Sequence, residues 1–549
     1  MSRLSPQFMF QRLGRFGQGA RRYQGIQAPR RAFRHGSYSL TSVSVTPVAG
    51  NATELPTTID SPTASSSLAQ TSTLTLLRSY LVWATLSFPT LVDASPGVLN
   101  FLLNTRIPLL PTLTEFVVRA TFFPQFIPGE TALECLPALE ELRRRNVGSA
   151  LNYSAEADAV EEVDVRDVEQ LRFREIQRAI DVQGDFEKRM QAEGWAAGSS
   201  AFAVKVSGII DPAVLRRASD VLQISRPEAS DSIGKDVPYP GFPSPTDSQI
   251  LNPAEGKSFH TIIKHPGLSQ ADFGQLQTLW ERLDSLAEQA KSRGVRLILD
   301  AEETWLNPAI DGYTLLLSMK HNKKDPVVYG TFQSYLQRQP AFLKAWIDHA
   351  EANGYSLGLK VVRGGYIVKE KAQGEKEGKT GNGAVWATKD LTDTSYNRSV
   401  ETILDTLRIQ LEHPEKSLPL GVIFGTHNMD SVQTVIRTLE AKGLASRTPE
   451  GGLCMNSEVK GKVNIAQLYG MREDLSDVVC AAFEPSRSAI SMKFIAYGTL
   501  RETMPFLSRR AIENKSIMSG PTGAAAERRR VGLELKRRLS FGLLSRNKA

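Results

Sequence analysis

Eight short apolar runs recur between residues 148 and 499, each followed by a stretch with helical periodicity. They read GSALNY (148–153), AFAVKVSGI (201–209), VRLILDAEE (295–303), VVYGTFQ (327–333), LGLKVVRGG (357–365), LGVIFGTHN (420–428), VNIAQLYGM (463–471) and SMKFIAYGT (491–499). Strand-type runs that alternate with helical patterns predict a parallel sheet, and eight such units predict an α/β fold, a closed (β/α)8 TIM-like barrel.

The remaining segments attach to that barrel. Residues 41–73, rich in Ser, Thr and Pro, read as a linker, and 74–147 as a helical N-terminal region. The barrel then occupies 148–520, and a basic amphipathic helix 521–549 follows. That helix either closes the fold with a solvated basic face or touches anionic lipid. Six prolines make 226–258 a long surface loop, and the Gly- and Lys-rich 370–393 is expected to be a mobile loop. Within the latter, GEKEGKT (374–380) resembles a phosphate-cradling loop, but it has three residues between its glycines where the motif needs four. No strand leads into a G-x-G-x-x-G motif, so a Rossmann dinucleotide site has no support. The apolar stretch 76–92 contains Arg78 and Pro89 and is followed by Asp93, which makes it an amphipathic helix rather than a membrane span.

The net charge of +7 is a local property. Residues 1–53 carry eight arginines and no Asp or Glu, which leaves 58 basic against 59 acidic residues elsewhere. Nucleic-acid binding is therefore not expected. An acid-free, Arg-rich start is the composition of a mitochondrial transit peptide, placed at 1–40. The three cysteines, Cys135, Cys454 and Cys480, suggest neither a disulfide framework nor a metal site, and they suit a reducing compartment.

In such a barrel the active site lies at the C-terminal ends of the strands. The polar residues there are Lys205 in the second run, Asp300 with Glu302 and Glu303 in the third, and Gln333 in the fourth. The fifth has Lys360 and Arg363 before Gly364 and Gly365, the sixth Thr426, His427 and Asn428, and the seventh Gln467. Arg509 and Arg510 lie on a helix predicted over 498–516, beside its apolar face of Leu500, Met504, Leu507 and Ala511. Burying several cations is costly unless they meet anions, and Asp300 neutralises at most one of them. The excess predicts an anionic ligand. Arginine suits a carboxylate or phosphate because its fork donates two parallel hydrogen bonds. From the helix alone, Arg509 and Arg510 either grip one anion from two sides or form a surface pair, with Arg509 bonding Glu513.

The motifs AVKVSGI, LILDAEETW, GTFQSYLQR, LKVVRGGYIVKEK, FGTHN, QLYGM and YGTLRETMPFLSRRAIENKS, in that order, resemble the proline dehydrogenase family over roughly residues 120–520. The resemblance implies an FAD-dependent mitochondrial enzyme that oxidises L-proline to Δ1-pyrroline-5-carboxylate. Hydride would pass to flavin N5 from the ring carbon distal to the carboxylate, and the electrons would go on to a membrane quinone. The enzyme would lie in the matrix, at the inner face of the inner membrane. By motif position, Lys205, Arg509 and Arg510 would hold the substrate carboxylate, and Asp300 would hold Lys205 in place. Lys360 would stand near flavin N5, and Asp300 and Lys360 would be the catalytic residues. Gln333, Val362, Arg363, Gly364, Gly365, Thr426, His427, Asn428 and Gln467 would contact the cofactor.

Two positions depart from the family pattern. Phe494 stands where many members have a tyrosine beside the proline ring, and Asn152 replaces an aspartate of the first strand. Both bear on substrate choice and keep a related imino acid such as hydroxyproline open. Two other readings compete: an aldolase-type lyase with Lys205 as Schiff-base nucleophile, and a catalytically silent barrel that binds an imino acid or a membrane partner.

Overall fold

The computed structural model describes residues 67–105, 107–154, 165–225, 241–252, 267–376, 378, 383–504, 506–507 and 523–546. The expected transit peptide and most of the expected linker lie outside them. The end of that linker is helical instead: α1 spans Ser67–Gln70 and α2 Thr73–Leu86, with the Ser72 side chain capping α2. Helices α3 (Pro89–Asn104), α4 (Leu110–Ala120), α5 (Phe123–Phe126) and α6 (Leu136–Arg144) complete the N-terminal region.

All eight predicted strands form. They are β1 (Val147–Tyr153), β2 (Ser200–Val204), β3 (Arg296–Leu299), β4 (Val328–Gln333), β5 (Gly358–Val362) and β6 (Gly421–Gly425). A small antiparallel hairpin, β7 (Ala445–Arg447) with β8 (Leu453–Met455), comes next, and β9 (Val463–Leu468) and β10 (Ser491–Tyr497) complete the set. The parallel strands close into a barrel in the order β1-β10-β9-β6-β5-β4-β3-β2.

Side chains alternate across each strand. Ala203, Ile298, Tyr329, Ile423, Ala466 and Met492 belong to the cluster that fills the barrel. Their neighbours, such as Leu299, Leu359, Val361, Phe424 and Ile465, pack outward against the helices. Continued for two residues, the alternation puts Lys205 and Asp300 on the inner side. Lys360, paired across the ladder with Thr331 and Ile423, shares that side. It turns Arg363 and Gln467 outward.

The barrel is wrapped by α7 (Val165–Ala192), α8 (Pro212–Ser225), the short α9 (Ser248–Leu251), α10 (Gln270–Arg293), α11 (Asn307–His321) and α12 (Gln339–Asn353). Then follow α13 (Ile367–Lys376), α14 (Lys389–Glu412), α15 (Met429–Ala441), α16 (Glu473–Ala482) and α17 (Ala524–Arg546). Helix α10 shows why its sequence forms one. Ser269 and Asp272 make a reciprocal capping box at its start, and Gly294 (φ 67°) turns the chain at its end. Leu276, Leu279, Leu283 and Leu286 are all fully buried on one stripe.

Both expected loops are shorter than the sequence suggests. Of 226–258, residues 241–252 pack onto the fold: Phe242 sits against Phe342 and Trp346, and Leu251 is buried. The rest of that loop lies outside the described residues. Both ends of the 370–393 stretch are helix, since α13 runs to Lys376 and α14 starts at Lys389. Between them, Val385 bridges Leu336, and Trp386 donates its backbone N–H to Tyr335 O (2.9 Å) and its indole N–H to Ser334 O (3.1 Å).

The helix predicted over 498–516 is present at 500–504 and 506–507. There Leu500 and Leu507 are buried with Leu76 and Trp83 of α2 and Val531 of α17. Helix α17 therefore closes the fold, and Arg538 donates to Leu68 O (2.8 Å) and Ala69 O (3.0 Å). Among the described residues, no helix is long and apolar enough to cross a membrane.

Candidate active site at the barrel mouth

The chain leaves β3 at Asp300, whose N–H donates to Val204 O at 3.0 Å, so it stands level with the end of β2. Lys360, in the body of β5, reaches up from the barrel interior and donates to Asp300 Oδ1 at 2.6 Å. Its ammonium also lies 4.4 Å from the centre of the Phe494 ring on β10, a cation–π distance. One cation is thus held between a carboxylate and an aromatic face.

This corrects one expected pairing. The family resemblance pairs Asp300 with Lys205, but its ion-pair partner is Lys360. Lys205 lies one residue beyond β2, and its Nζ is 3.9 Å from Oε2 of Glu302. The cause is the path after β3: with Asp300 turned toward β5, Glu302 falls over the end of β2. There Ser207 donates its N–H to Glu302 Oε1 (2.9 Å) and its hydroxyl to Oε2 (2.6 Å). Burial pushes the Glu302 carboxyl above its ordinary pKa, opposed by Lys205 and by the Ser207 hydrogen bonds.

Gln333, at the end of β4, is buried and committed to this loop. Its Nε2 donates to Glu302 O (3.0 Å), and its Oε1 accepts from Asn307 Nδ2 (3.0 Å). Beyond β5, Gly364 has φ 147°, and a Cβ there would lie 1.8 Å from the Tyr335 ring. Only glycine fits. Gly365 faces open space. The outward-turned Arg363 pairs with Asp393 of α14, donates to Ser431 Oγ of α15 at 3.0 Å and stacks 5.2 Å from the Tyr396 ring centre. Burial pushes its guanidinium below the ordinary value, partly offset by Tyr396 and Asp430. Val362 ends β5 on the inner side. Above it, α13 is tied to the β3 exit, where Glu370 accepts from the Thr304 N–H and hydroxyl, each at 2.7 Å.

Beyond β6, Thr426 Oγ1 accepts the Asn428 N–H (3.1 Å), and Asn428 Oδ1 caps α15 through the Ser431 N–H (3.0 Å). His427 Nε2 accepts the Leu468 N–H (3.0 Å), which assigns the proton of the neutral ring to Nδ1. Gln467 is turned to α16, accepting from Ser476 Oγ (2.9 Å), and so braces β9 from outside the barrel. Asn152 donates to Ala203 O at 2.9 Å and accepts from Ser154 Oγ at 2.9 Å. Arg509 and Arg510 lie outside the described residues.

Glu302, Ser207 and Asn307 have no role that the sequence alone announces. A second acid two residues after Asp300 was the available signal, since that spacing returns a side chain to the same side of an extended chain. Lys493 is another such residue: it lies outward on β10, fully enclosed, and donates to Met471 O at 2.9 Å. A lysine inside an apolar run was the signal there.

The donor chemistry of this mouth suits a flavin nucleotide. Lys360 offers a fixed cation inside the barrel, Gly364 and Gly365 offer backbone with no side chain in the way, and Asn428 keeps its Nδ2 donors beyond its capping bond. Among the described residues no cluster of His, Cys, Asp and Glu could hold a metal ion.

Residues 135–521 match the family model described as proline dehydrogenase. Proline dehydrogenase 1, mitochondrial, of Homo sapiens is 32% identical over 270 residues, covering 49% of this chain and 40% of that protein. The protein of the same name from Dictyostelium discoideum is 26% identical over 472 residues, covering 85% of this chain and 73% of that protein. A solved structure of proline utilization A from Bdellovibrio bacteriovorus, inactivated by N-propargylglycine, superimposes with a TM-score of 0.51 at 16% identity. That match covers 74% of this chain and 34% of the bacterial one, and it shows a shared fold. The chain thus spans less than half the length of the human relative and of the bacterial chain.

Proposed function

Because the chain belongs to the proline dehydrogenase family, we propose that it oxidises L-proline to Δ1-pyrroline-5-carboxylate. The observation that carries this reading is Lys360. It is a buried cation on the inner face of the barrel mouth, fixed by Asp300 at 2.6 Å and backed by Phe494. Such a preorganised charge is worth most where negative charge grows during the reaction. FAD, when bound, would supply the hydride acceptor. The residues proposed to hold it are Lys360, Val362, Arg363, Gly364, Gly365, Thr426, His427 and Asn428. Gln333 supports it from behind by fixing the loop at Glu302, and Gln467 by bracing β9.

Oxidation removes a hydride from the ring carbon distal to the carboxylate and a proton from the ring nitrogen, leaving a carbon–nitrogen double bond. The chain's part is to aim that carbon. Arg509 and Arg510, from the segment after β10, and Lys205, from β2, are proposed to clamp the carboxylate, with Phe494 against the ring. Phe494 offers no hydroxyl, so discrimination against hydroxyproline rests on shape. Lys205 is about a third exposed (34%) and has Glu302 beside it, whereas an aldolase-type amine is activated by desolvation or by a neighbouring cation. The acid-free N-terminus and the relatives named mitochondrial support a matrix location. Delivery of the electrons to a quinone, from a position against the inner membrane, belongs to the same proposal.

Anaerobic absorption spectroscopy tests it. Purified protein is expected to show visible flavin absorption that proline bleaches. A colourless protein, or a flavin spectrum that proline leaves unchanged, would overturn it.

A further inference from the structure

We propose that Glu302 is the positioning residue for Lys205, aiming its ammonium at the substrate carboxylate, while Asp300 serves Lys360 alone. The proposal rests on the reading of Lys205 as a substrate-binding cation.

Glu302 is only 1% exposed, and a carboxylate so enclosed is costly unless something uses its charge. Its position is set from every side. Its backbone N–H donates to Asn307 Oδ1 (2.8 Å), and its carbonyl accepts from Asn307 Nδ2 (3.2 Å) and Gln333 Nε2 (3.0 Å). Asn307 and Gln333 bond each other (3.0 Å), so two buried amides grip one residue. Its side chain is fixed by both donors of Ser207.

Among the described residues, Lys205 is the one cation within 4 Å of this carboxylate, and the separation of 3.9 Å is informative. It is close enough for attraction but beyond hydrogen-bond reach. The lysine is oriented by charge without surrendering its three N–H donors, which point-charge recognition of an incoming carboxylate requires. A carboxylate serving only to cap the turn at Ser207 would need no cation beside it. The arrangement on β3 therefore sends two acids to two lysines: Asp300 across to β5, and Glu302 back to β2.

Steady-state kinetics and binding of cyclopentanecarboxylate, a ring carboxylate without the reacting nitrogen, test this on the flavin-loaded protein. Glu302→Gln is expected to raise both the proline KM and the competitor Kd about tenfold, with kcat within about twofold of the parent. Lys205→Met is expected to raise both further, and the double variant to be no worse than Lys205→Met alone. If Glu302→Gln acts as strongly on the Lys205→Met background, or lowers Tm with KM and Kd unchanged, the proposal is overturned. Lys205→Met without effect on KM or Kd would overturn the substrate-lysine reading and the proposal with it. An impaired Lys205→Met beside an unaffected Glu302→Gln would overturn the proposal alone. Should Glu302→Gln fail to fold, Ser207→Ala frees the same carboxylate. It is expected to shift KM and Kd about threefold in the same direction, and no shift would overturn the proposal.

Discussion

Two glutamates, one at the barrel mouth and one at the seam between barrel and terminal helices, show how differently this chain treats buried charge. Glu302 at the mouth meets, among the described residues, a single lysine at 3.9 Å, and burial wins, pushing its carboxyl pKa up. Glu473, at the start of α16, meets Lys493 at 2.9 Å and Arg145 at 3.3 Å, with Arg530 nearby. Burial pushes it up as well, but these cations outweigh burial and its pKa falls. Glu473 is also better hydrated, at 23% exposed. The seam continues through Arg530, which bonds Asp477 and Glu527, each at 3.2 Å, and through Ser67, whose hydroxyl bonds Asp477 at 2.8 Å. It joins α1, α16 and α17 around a cavity of about 130 Å³. The seam spends its charges on one another and holds elements together. At the mouth each described cation meets one carboxylate, Lys360 at 2.6 Å and Lys205 at only 3.9 Å, so the looser of the two keeps its N–H groups for another anion.

The comparison breaks most visibly at Arg530. Arg530→Met leaves Asp477 and Glu527 without their shared cation, and burial already raises both their pKa values. The expected loss is about 3–5 kcal/mol of unfolding free energy in urea, with the proline KM unchanged. A loss below about 1 kcal/mol would make the seam an ordinary surface network.

Asp300→Ala probes the mouth with the opposite signature. It strips Lys360 of its carboxylate, and turnover is expected to fall about 10–100-fold in single-turnover assays, with a smaller stability loss than at Arg530. Full activity would remove Asp300 from the catalytic machinery.

The smallest effect is in pH dependence, and the two glutamates should differ in sign. Glu473, with a lowered folded pKa, contributes stability above its unfolded value near 4.5 and loses it as pH falls through the folded pKa. Glu302, with a raised folded pKa, favours the fold below 4.5 and loses that contribution as pH rises through the folded value. Relative to the parent, Glu473→Gln should therefore look worse as pH rises, and Glu302→Gln better, in pH-dependent denaturation. Parallel slopes would mean that one environment describes both.

Much of the barrel was legible because strands enclosed on both sides are apolar almost throughout. The predicted runs overshot the strands at their C-terminal ends, at Lys205, Asp300, Arg363 and Thr426, because polar residues leave the ladder there to build the mouth. Partner choice was not legible. Nothing in LILDAEETW says whether the first or the second acid turns toward β2, since that depends on how the backbone exits β3. Nor does composition show that Gln467 faces the helices, which follows only once β9 has a register. Proline content made 226–258 look like bare loop and hid the packing of Phe242 and Leu251. The N-terminal and C-terminal helices meet through long-range contacts that no local pattern announces.

The stitching of Val385 and Trp386 onto the β4 exit, opposite Glu370 clasped to Thr304, has a consequence for how this lineage can change. The two fastenings are made by different residues on different strand exits, so a substitution that loosens one leaves the hydrogen bonds of the other in place.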